Sequence, residues 1–191
     1  NANGNLDASF HSGLAAGDAV DFILLQSNNK LIIGGSFTQY DGTSANQIVR
    51  INANGTLDAT FNATVGANGP ITKAILEPSG KIIIIGNFTQ YNGVNKNGIV
   101  RLRPNGQLDP TFNYSDTTDH EPTSLALQPD GKIVVTFTDN SANDNLIVRL
   151  NGNGAVDPTF TVESREGSSN SISLGAIAIQ ADGKIVVAGT I

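Results

Sequence analysis

Apolar residues fall along this chain in short bursts of four to six, separated by Gly, Asn, Asp and Pro. In one stretch, Ile71-Thr72-Lys73-Ala74-Ile75-Leu76 runs into the turn signal Pro78-Ser79-Gly80, and Ile82-Ile83-Ile84-Ile85 follows. Ile99-Val100-Arg101-Leu102 comes next, then the turn Asn105-Gly106, then Leu108-Asp109-Pro110-Thr111-Phe112. β-Branched runs of this length bounded by turn chemistry predict three strands, A, B and C, of an antiparallel meander. Strand A is apolar on both sides, with Leu25, Leu76, Leu127 and Ile179 facing one way and Leu24, Ile75, Ala126 and Ala178 the other. Strand B is an unbroken apolar run in every copy, as expected when both faces of a sheet are covered. Strand C carries Arg50, Arg101 or Arg149 inside it, so one of its positions meets water or a carboxylate.

The pattern recurs four times. Phe10, Phe61, Phe112 and Phe160 each close a Leu/Val-Asp-x-Ser/Thr-Phe pentad, spaced 51, 51 and 48 residues apart, and Lys30, Lys81, Lys132 and Lys184 keep the same beat. A unit of this length cannot bury its own apolar faces and must stack on its neighbours. We read residues 1–191 as a single repeat domain with phases 6–56, 57–107, 108–155 and 156–191, the last incomplete. Small meanders covered on both faces predict an all-β β-propeller, either about four blades or part of a larger ring. The competing architecture is an open β-solenoid, whose coils are usually shorter. The pentad is expected to be a short, irregular outer strand D; its competitor is a strand that breaks into one turn at the Asp, since Pro110 and Pro158 follow directly.

Gln128-Pro129-Asp130-Gly131-Lys132-Ile133-Val134-Val135, Ile99-Val100-Arg101-Leu102 and Leu108-Asp109-Pro110-Thr111-Phe112 together resemble the delta-sixty repeat family of bacterial proteins. The resemblance covers the whole chain and recurs in each copy, although family repeats tend to be longer than this one. It implies a propeller fold and a secreted or surface location, and it brings no catalytic residues.

Composition narrows the chemistry. Charged residues are 15% of the chain, the formal net charge is −6, and no basic stripe is present, which argues against nucleic acid as a partner. Cysteine is absent, so disulfides, thiolate metal sites and thiol catalysis are excluded from these 191 residues. No apolar run reaches the length of a membrane span. Methionine is also absent and residue 1 is Asn, which suggests that the native start lies elsewhere; with three C runs for four A and four B runs, the chain reads as a piece of a longer array.

The copies differ in two loops. The third unit is three residues shorter between strands B and C, where Asp139-Asn140-Ser141-Ala142-Asn143-Asp144-Asn145 replaces Phe-Thr-Gln-Tyr-Asp/Asn-Gly. The fourth is four residues longer before strand A and includes Glu163, Arg165 and Glu166. Variable loops on a constant scaffold are where function usually sits.

Asp7, Asp58, Asp109 and Asp157 recur in every unit, whereas a catalytic constellation appears once. They are expected to satisfy loop N–H groups or the strand C arginines, with Asp→Ala costing about 1–2 kcal/mol, as loss of a cap does. His11 and His120 lack metal-ligand spacing. Asp139 and Asp144 are a weak calcium candidate, since their loop lacks the central glycine and terminal glutamate of a helix-flanked calcium loop. Tyr40 and Tyr91, with Phe37 and Phe88, are candidate sugar or peptide contacts, set against a packing reading in which Phe plugs the blade edge and Tyr covers a loop. No nucleophile–base pair or phosphate loop stands out, and no cofactor is expected. The expectation is therefore a non-enzymatic structural or adhesive module of a secreted or surface-displayed bacterial protein. Its partners would be a protein or glycan surface, or further copies of its own repeat. A propeller holding a small molecule or peptide near its axis is the alternative, and a hydrolase with its site in the divergent loops a distant third.

Overall fold

A computed structural model describes residues 2–61, 66–115, 120–139, 145–160 and 173–190. Four small antiparallel sheets follow one another along the chain. The first contains β1 (Ala19–Leu25), β2 (Leu31–Ser36) and β5 (Ile48–Ile51); the second contains β6 (Ile71–Leu76), β7 (Ile82–Gly86) and β10 (Ile99–Leu102). The third contains β11 (His120–Leu127), β12 (Ile133–Asp139) and β13 (Asn145–Leu150), and the fourth pairs β14 (Ser173–Ile179) with β15 (Ile185–Thr190). Neighbouring sheets approach most closely along their A strands, β1 on β6, β6 on β11 and β11 on β14. The meanders thus fan outward from a common inner edge, as propeller blades do.

Each blade has a leading face, toward the preceding unit, and a trailing face, toward the next. Ile32 and Ile48 on the trailing face of the first blade pack with Ile82, Ile84, Val100 and Leu102 on the leading face of the second. Ile83, Ile85 and Ile99 then pack with Ile133, Val135 and Leu150 of the third. Because strand side chains alternate, an unbroken isoleucine run feeds two cores at once. The A–B turn needs one residue in the left-handed region. Gly80, Gly131 and Gly183 supply it at φ of 81 to 84°, and Asn29 takes the same place at 61°.

Three features differ from expectation. The pentad does not form a strand D: its first residue makes a single bridge to strand C (Ile51–Leu57, Leu102–Leu108, Leu150–Val156), and the chain then turns at the Asp. Phe112 N donates to Asp109 O at 3.2 Å while the Asp109 carboxylate takes the Thr111 N–H, a local turn that outcompetes the ladder. The B–C connection of the first two units is itself a hairpin, β3 (Gln39–Tyr40) with β4 (Thr43–Ser44) and β8 (Gln90–Tyr91) with β9 (Val94–Asn95). Asp41-Gly42 and Asn92-Gly93 all have positive φ, the geometry a two-residue hairpin turn requires. Finally, every A strand carries a β-bulge at the same place, between Val20 and Phe22, Ile71 and Lys73, Pro122 and Ser124, and Leu174 and Ala176.

Candidate functional site

The recurring polar residues assemble into a clip beneath each interface between blades. In the second blade, Asp109 Oδ2 accepts from Lys81 Nζ and Arg101 Nε, both at 2.8 Å. Asp109 Oδ1 accepts from Thr111 N at 3.1 Å and Thr111 Oγ1 at 2.7 Å. Asp58 repeats this with Lys30, Arg50 and Thr60, and Asp157 with Lys132, Arg149 and Thr159. The guanidinium lies over the pentad phenylalanine, 5.2 Å from the Phe61 centroid, 5.0 Å from Phe112 and 4.6 Å from Phe160. It also crosses to the next blade, Arg50 Nη1 donating to Pro104 O and Arg101 Nη1 to Gly152 O. The carboxylates thus do both things expected of them, binding loop N–H and arginine, and each also holds the strand B lysine, which sequence reasoning missed. The signal was present: Lys and Asp recur in step.

Burial alone would raise the Asp58 and Asp109 pKa values. The hydrogen bonds from Lys30 and Lys81, the threonines and the arginines outweigh it, and both carboxyls lie well below the usual carboxylate range. The Lys132 ammonium is the main cause of the same depression at Asp157. With both oxygens engaged and the proton held off, these groups have nothing to offer a substrate or metal near neutral pH. Asp7 stands apart. Its Oδ1 takes Ser9 N and Oγ, but among the described residues no lysine or arginine reaches it.

Tyr40 and Tyr91 are buried, which corrects their reading as surface contacts. Their hydroxyls donate to Gly55 O at 2.5 Å and Gly106 O at 3.0 Å, so each ring plugs a blade and pins the turn after strand C. Burial pushes the Tyr91 phenol up. In the third unit, whose sequence has no Tyr-Asp-Gly or Tyr-Asn-Gly, Phe137 stacks on Tyr114 at 5.9 Å. His11 Nε2 lies 2.7 Å from Asp41 Oδ1, and His120 is tilted against Phe137. Asp139 ends strand β12, whereas Asp144 and the insertion with Glu163, Arg165 and Glu166 lie outside the described residues. Among the described residues no three His, Asp or Glu side chains are grouped to hold a metal ion, and no helix is long and apolar enough to cross a membrane.

Two other places differ between blades. A cleft of about 180 Å³ beside the first clip is lined by Ala45, Ile48, Val49, Leu57 and Phe61, with Arg50 and Asp58 bound to each other on its wall. At the inner edge, Phe22, Lys73, Ser124 and Ala176 occupy equivalent positions. Lys73 Nζ donates to Gly175 O at 2.6 Å, two blades away, and to Ser124 Oγ at 3.2 Å. Burial lowers the pKa of this amine.

A protein-family comparison matches residues 26–61, 77–112 and 128–160 to a family described as a domain of unknown function (DUF5122) beta-propeller. No curated protein and no solved structure gives a significant match.

Proposed function

The chain belongs to the DUF5122 beta-propeller family, and from that premise we propose that it is a non-enzymatic structural or adhesive module presenting its outer loops to a protein or glycan surface. One observation carries the reading: the carboxylates that recur in three clips are each saturated by lysine and arginine of the preceding repeat and by the threonine of their own pentad. Chemistry open to a partner is left to the hairpin tips, where Thr43, Ser44, Val94 and Asn95 are exposed, and to the loops that vary between units. The resemblance to delta-sixty repeats supports a secreted or surface-displayed bacterial protein. The test is binding to an array of glycans and surface proteins. We expect binding that is lost in a Thr43→Lys/Val94→Lys variant of unchanged melting temperature; an unchanged binding profile overturns the assignment to the tips.

A ligand-binding propeller is the second reading, favoured by Lys73. It is an amine with no carboxylate partner among the described residues, at an inner-edge position where the four blades carry four different side chains. An anionic small molecule would suit it, and Lys73→Met would then abolish binding while leaving the tip-dependent contacts intact.

A further inference from the structure

The chain has six lysines, and their surroundings divide them. Lys30, Lys81 and Lys132 close clips, and Lys184 pairs with Asp182 in its own turn. A carboxylate at 2.6 to 2.9 Å keeps such an amine protonated and leaves it no lone pair to share. Lys96, half-buried just after its hairpin, reaches Asn113 Oδ1 at 3.5 Å.

Lys73 is different. It follows the bulge of its strand and sits at the inner edge, where the other blades carry Phe22, Ser124 and Ala176. Its Nζ donates to Gly175 O at 2.6 Å and to Ser124 Oγ at 3.2 Å, both uncharged, and no carboxylate reaches it among the described residues. Partial burial without a countercharge penalises the ammonium form, so the pKa of this amine is lowered. A larger share of it is therefore the neutral amine, the form that attacks carbon. Ser124 is itself buried, and its hydroxyl stands beside the nitrogen as both a proton donor and an acceptor.

We propose that Lys73 is a covalent docking point for carbonyl compounds, taking an aldehyde as a reversible imine at the inner edge of the blades. The inference deepens the ligand-binding reading above and rests on its premise that a ligand sits at this edge. Nζ adds to the aldehyde carbon to give a carbinolamine, and one amine proton passes to the oxygen by way of Ser124 Oγ. That oxygen leaves as water with both amine protons while the C=N bond forms. The sum is amine plus aldehyde giving imine plus water, with no oxidant or reductant. The imine then takes a proton from solvent and presents one N–H to Gly175 O.

Reductive trapping of the whole 191-residue chain tests this. The protein is incubated with propionaldehyde and cyanoborohydride near neutral pH, and the propyl adducts are located by peptide mass spectrometry. Lys73 should be modified at least about tenfold faster than Lys96, which is also half-buried and serves as the internal reference. Ser124→Ala should slow the Lys73 reaction by about tenfold and leave Lys96 unchanged, with circular dichroism melting to show that the blade is intact. Should that variant melt early, the wild-type rate ratio alone decides. Equal rates at Lys73 and Lys96 overturn the proposal, and so does a folded Ser124→Ala variant that reacts as the wild type does. The electrostatic reading is separable. Lys73→Arg keeps a cation for an anionic ligand but has no primary amine, so failed trapping leaves that reading to its own Lys73→Met test.

Discussion

Asp109 accepts from two cations and from a threonine, with the carboxylate nearly out of reach of solvent. Removing it takes from Lys81 and Arg101 the carboxylate they share, although Arg101 keeps Glu77 and the Gly152 carbonyl. Asp109→Ala is therefore expected to cost about 2–3 kcal/mol in chemical denaturation, more than loss of a simple cap, because two charge-assisted bonds and the turn contact to Thr111 go together. The three clips also set the acid limit. Their carboxyl pKa values are depressed on folding, so their contribution is fully present above the unfolded value near 4 and is lost as pH falls below it. Melting temperature should hold from pH 5 upward and drop steeply below about pH 4, with a shallower drop in Asp109→Asn. Glu77 and Gln26 occupy the same place in successive units. Glu77 Oε1 pairs with Arg101 at 3.2 Å, whereas the buried Gln26 Oε1 has no partner. Gln26→Glu should let Arg50 make the missing pair and raise stability by about 1 kcal/mol in the same assay.

At the scale of elements, the small hairpins are held by their tyrosines rather than by their two-residue ladders, which are too short to stand alone. Tyr91→Phe leaves the ring in place and orphans Gly106 O, so a loss of about 1 kcal/mol is expected by denaturant titration. Strands A, B and C were legible because β-branched runs and turn residues act locally; Ile71–Leu76 and Ile99–Leu102 begin and end at the residues their runs mark. The hairpins had a local signal as well, in Tyr-Asp-Gly and Tyr-Asn-Gly, but only two residues pair on each side and the run looks like a loop. Strand D was misjudged for the opposite reason. Leu-Asp-Pro-Thr-Phe has the look of an edge strand, yet the Asp carboxylate finds the backbone N–H two residues on and closes a turn first. The bulges left no trace in the pattern, since the extra residue is Asp21, Thr72, Thr123 or Gly175, and none of these types marks a bulge by itself.

Across the whole molecule, stability should be greatest in the middle. The second and third blades are covered on both faces, while β1 and β15 each leave one apolar face open. In a stack where each unit leans on its neighbours, amide exchange should be slowest in β7 and β12 and faster by orders of magnitude in β1 and β15. Equal protection across all four blades would mean that the ends are covered in solution.

The amino-acid sequence by itself determined the meander, the number of units and the residues that would carry the recurring polar contacts, because these follow from local propensity and from a repeat that forces stacking. Only the tertiary structure decided what those residues do. A lysine and an aspartate 28 residues apart become partners when a turn folds back beneath its own blade. Tyr40 and Tyr91 became plugs rather than contact surfaces because their rings are buried and the turn after strand C accepts the hydroxyl. The pentads of Asp58, Asp109 and Asp157 became closed clips because folding brings the lysine and arginine of the preceding repeat beside them. Periodicity is written along the chain, whereas partnership depends on distance in space.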